Sequence, residues 1–317
     1  MRMGTTALGP SESAILRAPG AAGLSQLIGD TPLIPLQLPG AKPGVDVLVK
    51  AEWLNPGGSV KDRAALAIIE AAERAGELPG KRLLDASSGN TAIAYGMLGA
   101  ERGYGITICL PGNASAERKE ILRAYGVEVI ETDAAEGSDG AIRHARDLVV
   151  REPARYFYAD QYNNPANADA HYASTGPEIW RDTGGRITHL VCGLGTTGTL
   201  MGAGRYLRER FPRIRLIAVE PDDGFHGIEG LKHLPTAILP GLYDPSLVDR
   251  TVRVRTEAAY EMTRWLAQER GLLVGLSSGA AAYATNKLVA TVEQGCVVVV
   301  FPDGGQRYLS LPIWENL

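Results

Sequence analysis

Short runs of β-branched and apolar residues alternate with longer segments of helical character along most of the chain. Eight runs predict strands: DVLVKAEW, KRLLDAS, GITICLP, VEVIET, ITHLVCGLG, RLIAVEP, TVRVRT and CVVVVFP. Most of them are separated by ten or more residues that can form a helix. Several runs are apolar at nearly every position, which is typical of parallel strands covered by helices on both faces. The pattern predicts an α/β fold with mostly parallel sheets.

The segment EAAYEMTRWLAQERG predicts an amphipathic helix. Ala258, Met262, Trp265 and Leu266 share one face of it, and Gly271 supplies a stop. We expect this face to lie in the core. The Pro- and Asn-rich segment QYNNPANADAHY is a candidate connection between two lobes.

Composition narrows the class of protein. The chain has 317 residues, of which 45% are hydrophobic and 21% charged, and its net charge is -4. This charge argues against a nucleic-acid or anionic-membrane surface, so we expect small-molecule partners. Cys109, Cys192 and Cys296 lie far apart in apolar runs, as buried thiols of a reducing compartment do.

The N-terminal twenty residues contain neither a basic stretch followed by an apolar core nor a span long enough to cross a bilayer. We therefore expect a cytoplasmic protein with a loose N-terminal lead-in. The five histidines show no ligand spacing, and we predict no metal site.

The clearest candidate site is the segment VCGLGTTGTLMGAGRYL, in which a strand, a glycine- and threonine-rich loop and a helix follow one another. Such a loop directs backbone N–H groups and the positive end of the helix dipole at one point. The hydroxyls of Thr196, Thr197 and Thr199 add further donors. We expect this loop to bind a phosphate group.

The same loop also fits a dinucleotide-binding fingerprint. Gly193, Gly195 and Gly198 have the spacing G-x-G-x-x-G, and Glu220 closes the next strand. The motif alone therefore leaves a nicotinamide-dependent oxidoreductase open. Such an enzyme would not need a reactive lysine.

Two further loops lead into helices, DASSGNTAIAYG and GLSSGAAAY. Taken alone, both are typical of helix N-caps. Their hydroxyl and amide side chains are those of Ser87, Ser88, Asn90, Thr91, Ser277 and Ser278.

A lysine stands in an unusual place in LNPGGSVKDRAAL. Lys61 begins a strongly helical run, where the helix dipole disfavours a cation. The dipole and partial burial both favour the neutral amine, the form that makes a Schiff base with an aldehyde cofactor. Together with a phosphate-binding loop, Lys61 predicts pyridoxal 5'-phosphate as the cofactor.

These residues resemble the cysteine synthases, especially the cysteine synthase B branch of the O-acetylserine sulfhydrylases, among the fold-type II pyridoxal-phosphate enzymes. The resemblance extends from IGDTPLIPL to RYLS. It includes, in order, NPGGSVKDRAA, SSGNT, NNPANADAHYASTGPEIW, GLGTTGTLMG and GLSSGA. It implies two lobes, as in the tryptophan synthase β subunit, each with a mostly parallel sheet flanked by helices. We expect a larger cofactor-binding domain of residues 1–55 and 166–317, and a smaller, mobile substrate-binding domain of residues 56–165.

The resemblance also implies roles for single residues. Lys61 would be the catalytic Schiff-base lysine, Asn90 the partner of the ring hydroxyl, and Ser277 the partner of the pyridine nitrogen. The phosphate would be held by Gly195, Thr196, Thr197, Gly198 and Thr199. The substrate would be bound by Ser87, Ser88, Thr91, Gln161, Gly230 and Lys232.

The implied reaction replaces the β-substituent of an O-activated L-serine with sulfide or another sulfur donor and gives L-cysteine. We expect O-acetylserine rather than O-phosphoserine, because Asp222 stands after the EP pair where phosphoserine-using relatives have an arginine. We also expect a homodimer. A complex with serine acetyltransferase stays open, because no residue indicates it.

Other classes stay open at this point. A dehydratase of the same fold and a non-catalytic pyridoxal-phosphate-binding protein are both compatible with the fold. The NNPANADAHYASTGPEIW segment argues against the dehydratase, and intact Lys61, Asn90 and Ser277 argue against the non-catalytic protein. Two motifs differ from the usual family pattern. TSGNTG is SSGNTA here and PDSGERY is PDGGQRY, and neither change removes a group that the chemistry requires.

Overall fold

The structure is a computed structural model that describes residues 23–87 and 89–315. The described residues form ten strands and nine α-helices. The strands are β1 Leu33–Pro35, β2 Val45–Ala51, β3 Arg82–Ala86, β4 Ile106–Pro111, β5 Glu128–Thr132, β6 Tyr156–Tyr158, β7 Ile187–Gly193, β8 Arg215–Pro221, β9 Arg250–Val254 and β10 Gly295–Phe301. The helices are α1 Lys61–Ala75, α2 Asn90–Arg102, α3 Ala116–Ala124, α4 Gly137–Arg151, α5 Pro165–Ala170, α6 Gly176–Asp182, α7 Gly198–Arg210, α8 Thr256–Arg270 and α9 Leu276–Val289.

The larger sheet has six strands in the order β1-β2-β10-β7-β8-β9. Its neighbours are parallel except for β1, which runs antiparallel to β2 at the edge. The run CVVVVF of β10 is buried at every position, because helices cover both faces of this central strand. The predicted class of mostly parallel sheets flanked by helices is confirmed.

The smaller sheet has four parallel strands in the order β5-β4-β3-β6. All its strands lie within residues 82–158, and the run ITICLP of β4 is buried throughout. The two sheets therefore have separate cores, one around Ile68, Leu83 and Ile108, and another around Val191, Val299 and Phe301.

All eight predicted strand runs form strands. The sequence pattern missed β1 and β6, which have three residues each and are too short for a periodic signal. The helix predicted in EAAYEMTRWLAQERG is α8, and Gly271 ends it in the left-handed conformation. Its buried face is shifted from the expected one: Ala258 and Leu266 are buried, whereas Met262 and Trp265 are only partly so.

Cys109, Cys192 and Cys296 are buried free thiols, as expected. Within the described part of the chain, none of the helices is both long and apolar enough to cross a bilayer. The expected loose lead-in lies outside the described residues.

Candidate active site

The predicted site residues surround two adjoining cavities at the carboxyl ends of strands from both sheets, which is where α/β proteins bind ligands. The larger cavity has a volume of about 390 Å³ and the smaller about 40 Å³. Both are lined by Lys61, Asn90, Gly195, Thr196 and Gly230. The larger is also lined by Ser87, Thr91, Gln161 and Lys232, and the smaller by Thr197, Thr199 and Ser277. Gly198 begins α7 beside them, and Ser88 lies outside the described residues.

Lys61 is the first residue of α1, as predicted, and its neighbours fix this end of the helix. The Gly57 N–H donates to Asp62 Oδ2 at 2.6 Å and closes the preceding NPGGS turn. The Val60 N–H donates to the Pro302 carbonyl at 2.8 Å and ties the turn to the end of β10. The backbone around Lys61 is therefore anchored on both sides.

Two residues further on, Arg63 anchors the start of α1 through its side chain. Its guanidinium is buried and donates to Glu52 (Nη2 to Oε1, 2.9 Å) and to Glu178 (Nη1 to Oε1, 2.6 Å). The same Glu178 accepts from Lys50, and Glu52 accepts from Thr31. A buried arginine with two carboxylate partners fixes both position and direction. This network therefore keeps Lys61 pointed at the cavities.

The environment of Lys61 favours its neutral form. Burial lowers the pKa of the Lys61 amine, and the negative charges of Asp303, Glu52 and Asp62 only partly offset the effect. The N-terminal end of α1 adds a positive potential in the same direction. A neutral amine is nucleophilic and can also take up a proton.

The loop of residues 195–199, called the cradle below, follows β7 and leads into α7. An added Cβ at Gly195 would meet the Gly230 carbonyl, and one at Gly198 would meet the Asn167 amide. Thr197 has φ +69°, and its buried Oγ1 has no hydrogen-bond partner among residues 23–87 and 89–315. Tight backbone contacts, a helix N-terminus and an unpartnered hydroxyl together suit an anion.

The loop after β3 is folded on itself. Ser87 Oγ accepts from the N–H groups of Gly89 at 3.0 Å and Ala92 at 3.2 Å, and so retains its own hydrogen for another acceptor. Thr91 donates to Gln161 Oε1 at 2.7 Å, and Gln161 Nε2 donates to the Ala86 carbonyl. Thr91 of this loop is thus in contact with Gln161, and Ser87 holds the loop backbone.

Sequence reasoning missed the residues that hold Asn90. Asn90 Nδ2 donates to Asp303 Oδ2 at 2.7 Å, and Asn90 Oδ1 accepts from Arg307 Nη1 at 2.5 Å. Arg307 also donates to the Gly57 carbonyl, and Tyr308 donates to Asp303. The only signal in the sequence was the PDGGQRY motif, which contains Asp303, Arg307 and Tyr308. This motif joins the end of β10 to the starts of α1 and α2.

Two ion pairs span the opening of the larger cavity, and their four residues are called the mouth below. Arg118 of α3 donates to Glu229, and Lys232 Nζ lies 2.5 Å from Asp139 Oδ1 of α4. Asp139 Oδ2 also accepts from the Ile238 N–H at 2.7 Å. Each pair joins the part of the chain that carries the smaller sheet to the segment of residues 229–238. Both mouth cations therefore have a carboxylate partner.

Comparison with known proteins identifies the family. Residues 24–303 match the family described as "Pyridoxal-phosphate dependent enzyme". The chain belongs to this family.

Individual members of the family narrow the relationship. The chain is 48% identical over 299 residues to the cysteine synthase of Aquifex aeolicus, which covers 92% of this chain and 91% of the relative. It is 42% identical over 292 residues to cysteine synthase B of Escherichia coli, with coverages of 92% and 95%. The crystal structure of a cysteine synthase from Entamoeba histolytica has a TM-score of 0.88 at 34% identity and covers 100% of this chain and 95% of that one.

Membership confirms the predicted pyridoxal-phosphate cofactor, the fold-type II architecture and the resemblance to the cysteine synthases. The nicotinamide alternative is not favoured. Glu220, which the fingerprint would place on a ribose, is 4% exposed and accepts from Arg253 Nε of the adjacent strand at 3.1 Å. Its carboxylate thus has a structural partner within the sheet.

Proposed function

We propose that the protein is a cysteine synthase that replaces the β-substituent of an O-activated L-serine with a sulfur nucleophile and releases L-cysteine. The favoured amino-acid substrate is O-acetyl-L-serine, and the donor is sulfide or another reduced sulfur compound. One observation carries this proposal: a lysine amine with a lowered pKa shares one cavity with an anion cradle and with a loop of hydroxyl groups. A β-replacement needs all three.

The residues present fit pyridoxal 5'-phosphate. The phosphate would be held by the cradle, where the Thr197 hydroxyl has no partner among the described residues and α7 presents its N-terminus. Asn90 retains one amide hydrogen for the ring hydroxyl, and Ser277, which lines the smaller cavity, would meet the ring nitrogen. When bound, the cofactor supplies an aldehyde that accepts an amine and a ring that withdraws electrons from the α-carbon.

Lys61 Nζ is the base of the proposed reaction. Its neutral form would remove the α-proton of the bound substrate and later return a proton to the same carbon. The Arg63 network keeps Nζ on one side of the cavity, so the proton would return to the face from which it was taken. Return of the proton to the same face retains the configuration of the α-carbon, which supports an L-amino-acid product.

The loop after β3 would bind the substrate carboxylate. Ser87 Oγ already accepts two backbone N–H groups, so its own hydrogen is available as a donor. The Thr91 hydroxyl donates to Gln161 Oε1 at 2.7 Å in this structure. The substrate carboxylate would accept the Thr91 hydroxyl hydrogen in place of Gln161. Ser88 belongs to the same proposal from sequence alone. Gly230 and Lys232 would face the leaving group.

The mouth supports an acetyl rather than a phosphoryl leaving group. A phosphate ester requires an unpaired cation, preferably an arginine with its bidentate donors. Arg118 and Lys232 are each paired with a carboxylate. A phosphate would have to displace one of these carboxylates, whereas a neutral acetyl group would not.

We further propose a homodimeric, cytoplasmic enzyme with the division into residues 1–55 and 166–317 and residues 56–165. The division is supported by the smaller sheet, whose strands all lie within residues 82–158. Movement of the smaller domain would open and close the mouth, since both ion pairs cross this boundary.

The proposal is tested by incubating the purified protein with O-acetylserine or O-phosphoserine, adding sulfide, and measuring cysteine while recording the visible spectrum. We expect cysteine from O-acetylserine, with the higher kcat/KM of the two. A tenfold preference for O-phosphoserine would overturn the assignment of the leaving group alone. A colourless protein that forms no cysteine from either would overturn the function.

A further inference from the structure

The segment of residues 165–175, made of α5 and the π-helical turn His171–Thr175, lies directly against α7. An added Cβ at Gly202 would collide with the Ala168 carbonyl and approach the His171 side chain to 2.8 Å. Glycine at this position therefore lets the segment reach the backbone of α7, one turn after the cradle. π-Helical turns often occur at functional sites. Two buried side chains of this segment contact the cradle.

His171 connects two hydroxyl groups. Its Nδ1 lies 2.8 Å from Thr175 Oγ1 and its Nε2 lies 3.2 Å from Thr199 Oγ1. His171 is 1% exposed and Thr175 is 0% exposed. Within residues 23–87 and 89–315, Thr175 Oγ1 has no other hydrogen-bond partner.

A count of hydrogens fixes the direction of these bonds. Nδ1 is the one acceptor that the described residues offer to the hydroxyl hydrogen of Thr175, and satisfying this buried hydroxyl leaves Nδ1 without a hydrogen. Burial lowers the pKa of His171 to about 3, and the nearby Arg63 acts in the same direction, so the ring is neutral and Nε2 carries its hydrogen. Nε2–H therefore donates to Thr199 Oγ1.

Asn167 likewise donates to a cradle hydroxyl, that of Thr196. Its Nδ2 donates to the Gln161 carbonyl at 2.7 Å and to Thr196 Oγ1 at 3.0 Å, and the side chain is 1% exposed. A carbonyl oxygen only accepts, so the amide orientation is fixed. Thr196 Oγ1 is therefore an acceptor in this pair.

Thr196 and Thr199 both line the smaller cavity, and each already accepts a hydrogen bond from behind. The hydrogen of each hydroxyl is thus left for a ligand. With the opposite histidine tautomer, Thr199 would donate to Nε2 and present only lone pairs to the cavity, which would repel an anion.

We propose that Asn167 and His171 are positioning residues that direct the hydroxyl hydrogens of Thr196 and Thr199 into the cradle and thereby set its affinity for the cofactor phosphate. This inference rests on the proposed function, since it takes pyridoxal phosphate as the ligand. Neither residue touches the cofactor in this proposal. Both act through a threonine.

The test compares two ligands that differ only in the phosphate group. Apoprotein is prepared from the purified enzyme, and the binding of pyridoxal 5'-phosphate and of pyridoxal is titrated by absorbance. His171→Asn keeps a polar group near Nδ1 but removes the contact to Thr199, whereas His171→Gln keeps an amide N–H near Nε2. We expect His171→Asn to weaken pyridoxal phosphate binding about tenfold, which corresponds to about 1.4 kcal/mol, and to leave pyridoxal binding unchanged.

His171→Gln should bind pyridoxal phosphate within about threefold of the unaltered protein, because its amide still donates. In a Thr199→Ala background, His171→Asn should have no further effect. An equal loss for both ligands, or an undiminished loss in the Thr199→Ala background, would overturn the role of His171. If the unaltered protein binds neither ligand, the proposed function fails instead.

Asn167→Leu tests the proposed role of Asn167 in the same titrations. We expect about a tenfold loss for pyridoxal phosphate and none for pyridoxal. A loss of the same size for both would reject the role of Asn167.

Should a variant fail to fold, the unaltered protein still decides the question. Nitrogen-15 NMR of histidine-labelled apoprotein reports which ring nitrogen of His171 carries the hydrogen. We expect hydrogen on Nε2. Hydrogen on Nδ1 would overturn the inference.

Discussion

The cradle, for which we propose a phosphate ligand, and the mouth, which contains two ion pairs, differ in how their groups are held. The cradle is supported by neutral hydrogen bonds from Asn167 and His171, which lie on the same side of the cavity. The mouth is held by ion pairs that join α3 and α4 to residues 229–238 across the opening. Neutral buried networks do not respond to salt, whereas partly exposed ion pairs are screened by it.

This difference matches two kinds of ligand. A cofactor that stays bound needs donors that do not move, and the cradle residues are 6% exposed or less at Thr196 and Thr197. A substrate that enters and leaves needs contacts that exchange, and Glu229 of the mouth is 27% exposed at its side chain. The cradle is therefore preorganised, and the mouth is adjustable.

The largest effect is expected from Lys61→Ala, which removes the base and the amine between the two regions. We expect kcat to fall by about 10³-fold or more and the visible absorption of the bound cofactor to be lost. Lys42→Ala is the control, because this surface lysine only pairs with Glu293. Steady-state cysteine formation and absorbance are the measurements. Comparable loss in both variants would exclude a special role for Lys61.

The next largest effect is expected from Ser277→Asp. Ser277 is 3% exposed and lines the smaller cavity, where a hydroxyl can donate to an unprotonated ring nitrogen. A carboxylate would favour the protonated ring and an α-carbanion that persists, so we expect an altered spectrum and about a 10²-fold lower kcat. Ser277→Ala should retain measurable turnover. An unchanged rate and spectrum in Ser277→Asp would place Ser277 away from the ring.

A smaller effect is expected at the mouth. Asp139→Asn can still accept from the Ile238 N–H but no longer neutralises Lys232. We expect kcat/KM for O-phosphoserine to rise about three- to tenfold relative to O-acetylserine, and the gain to shrink in about 0.5 M salt. Asp169→Asn, which breaks a surface pair with Arg205, should leave the ratio of kcat/KM for the two substrates unchanged at either salt concentration. A ratio unaffected by Asp139→Asn would mean that Lys232 does not face the leaving group.

The last prediction concerns stability against pH rather than activity, and it rests on Asp85 of β3, just before the substrate-binding loop. Burial raises the pKa of Asp85 to about 8, and Asp85 accepts from the Ala86 N–H at 2.8 Å. The folded state therefore keeps a proton that the unfolded state releases near its ordinary pKa of 3.8. The stability from this protonated group is present at low pH and is lost as the pH rises towards 8.

We expect the free energy of unfolding to fall between pH 5 and pH 8 by up to about 1.4 kcal/mol per pH unit from this group. Asp85→Asn should flatten that dependence, while the exposed Asp46→Asn should not. Urea unfolding at several pH values is the measurement. A profile identical in Asp85→Asn would show that Asp85 is ionised in the fold.

The sequence predicted the elements that carry long apolar runs and the loops that follow them. β10 and α1 were evident from local pattern, and so was Lys61, because its position at a helix start is a local property. The partners of Asn90 were not predictable, since Asp303 and Arg307 follow it by more than 200 residues. They come close only after folding, because Asn90 follows a strand of the smaller sheet and Asp303 follows β10 of the larger one. Of the mouth residues only Lys232 was expected, from the resemblance, and its partner Asp139 and the pair of Arg118 with Glu229 were missed for the same reason.

Residues inside the 165–175 segment were also missed, although the segment itself was part of the resemblance. Nothing local distinguishes His171 from a surface histidine, and its role follows only from two contacts made after folding. The shift of the α8 face has a similar cause. Thr263 is fully buried there because its hydroxyl donates to the Ala259 carbonyl, which a hydrophobic pattern does not register.

The pairing of β2 with β10 governs the order in which the protein can assemble on the ribosome. Val45 lies beside Gly295, and Ala51 beside Phe301, so the larger sheet needs strands from distant parts of the chain. The smaller sheet is complete once residue 158 has emerged. The cradle follows β7, and the strand that pairs with β7 on one side, β10, is synthesised only later. Cofactor capture would therefore be a late event in biogenesis, and a chain truncated before residue 295 would expose the apolar edges of β2 and β7 to aggregation.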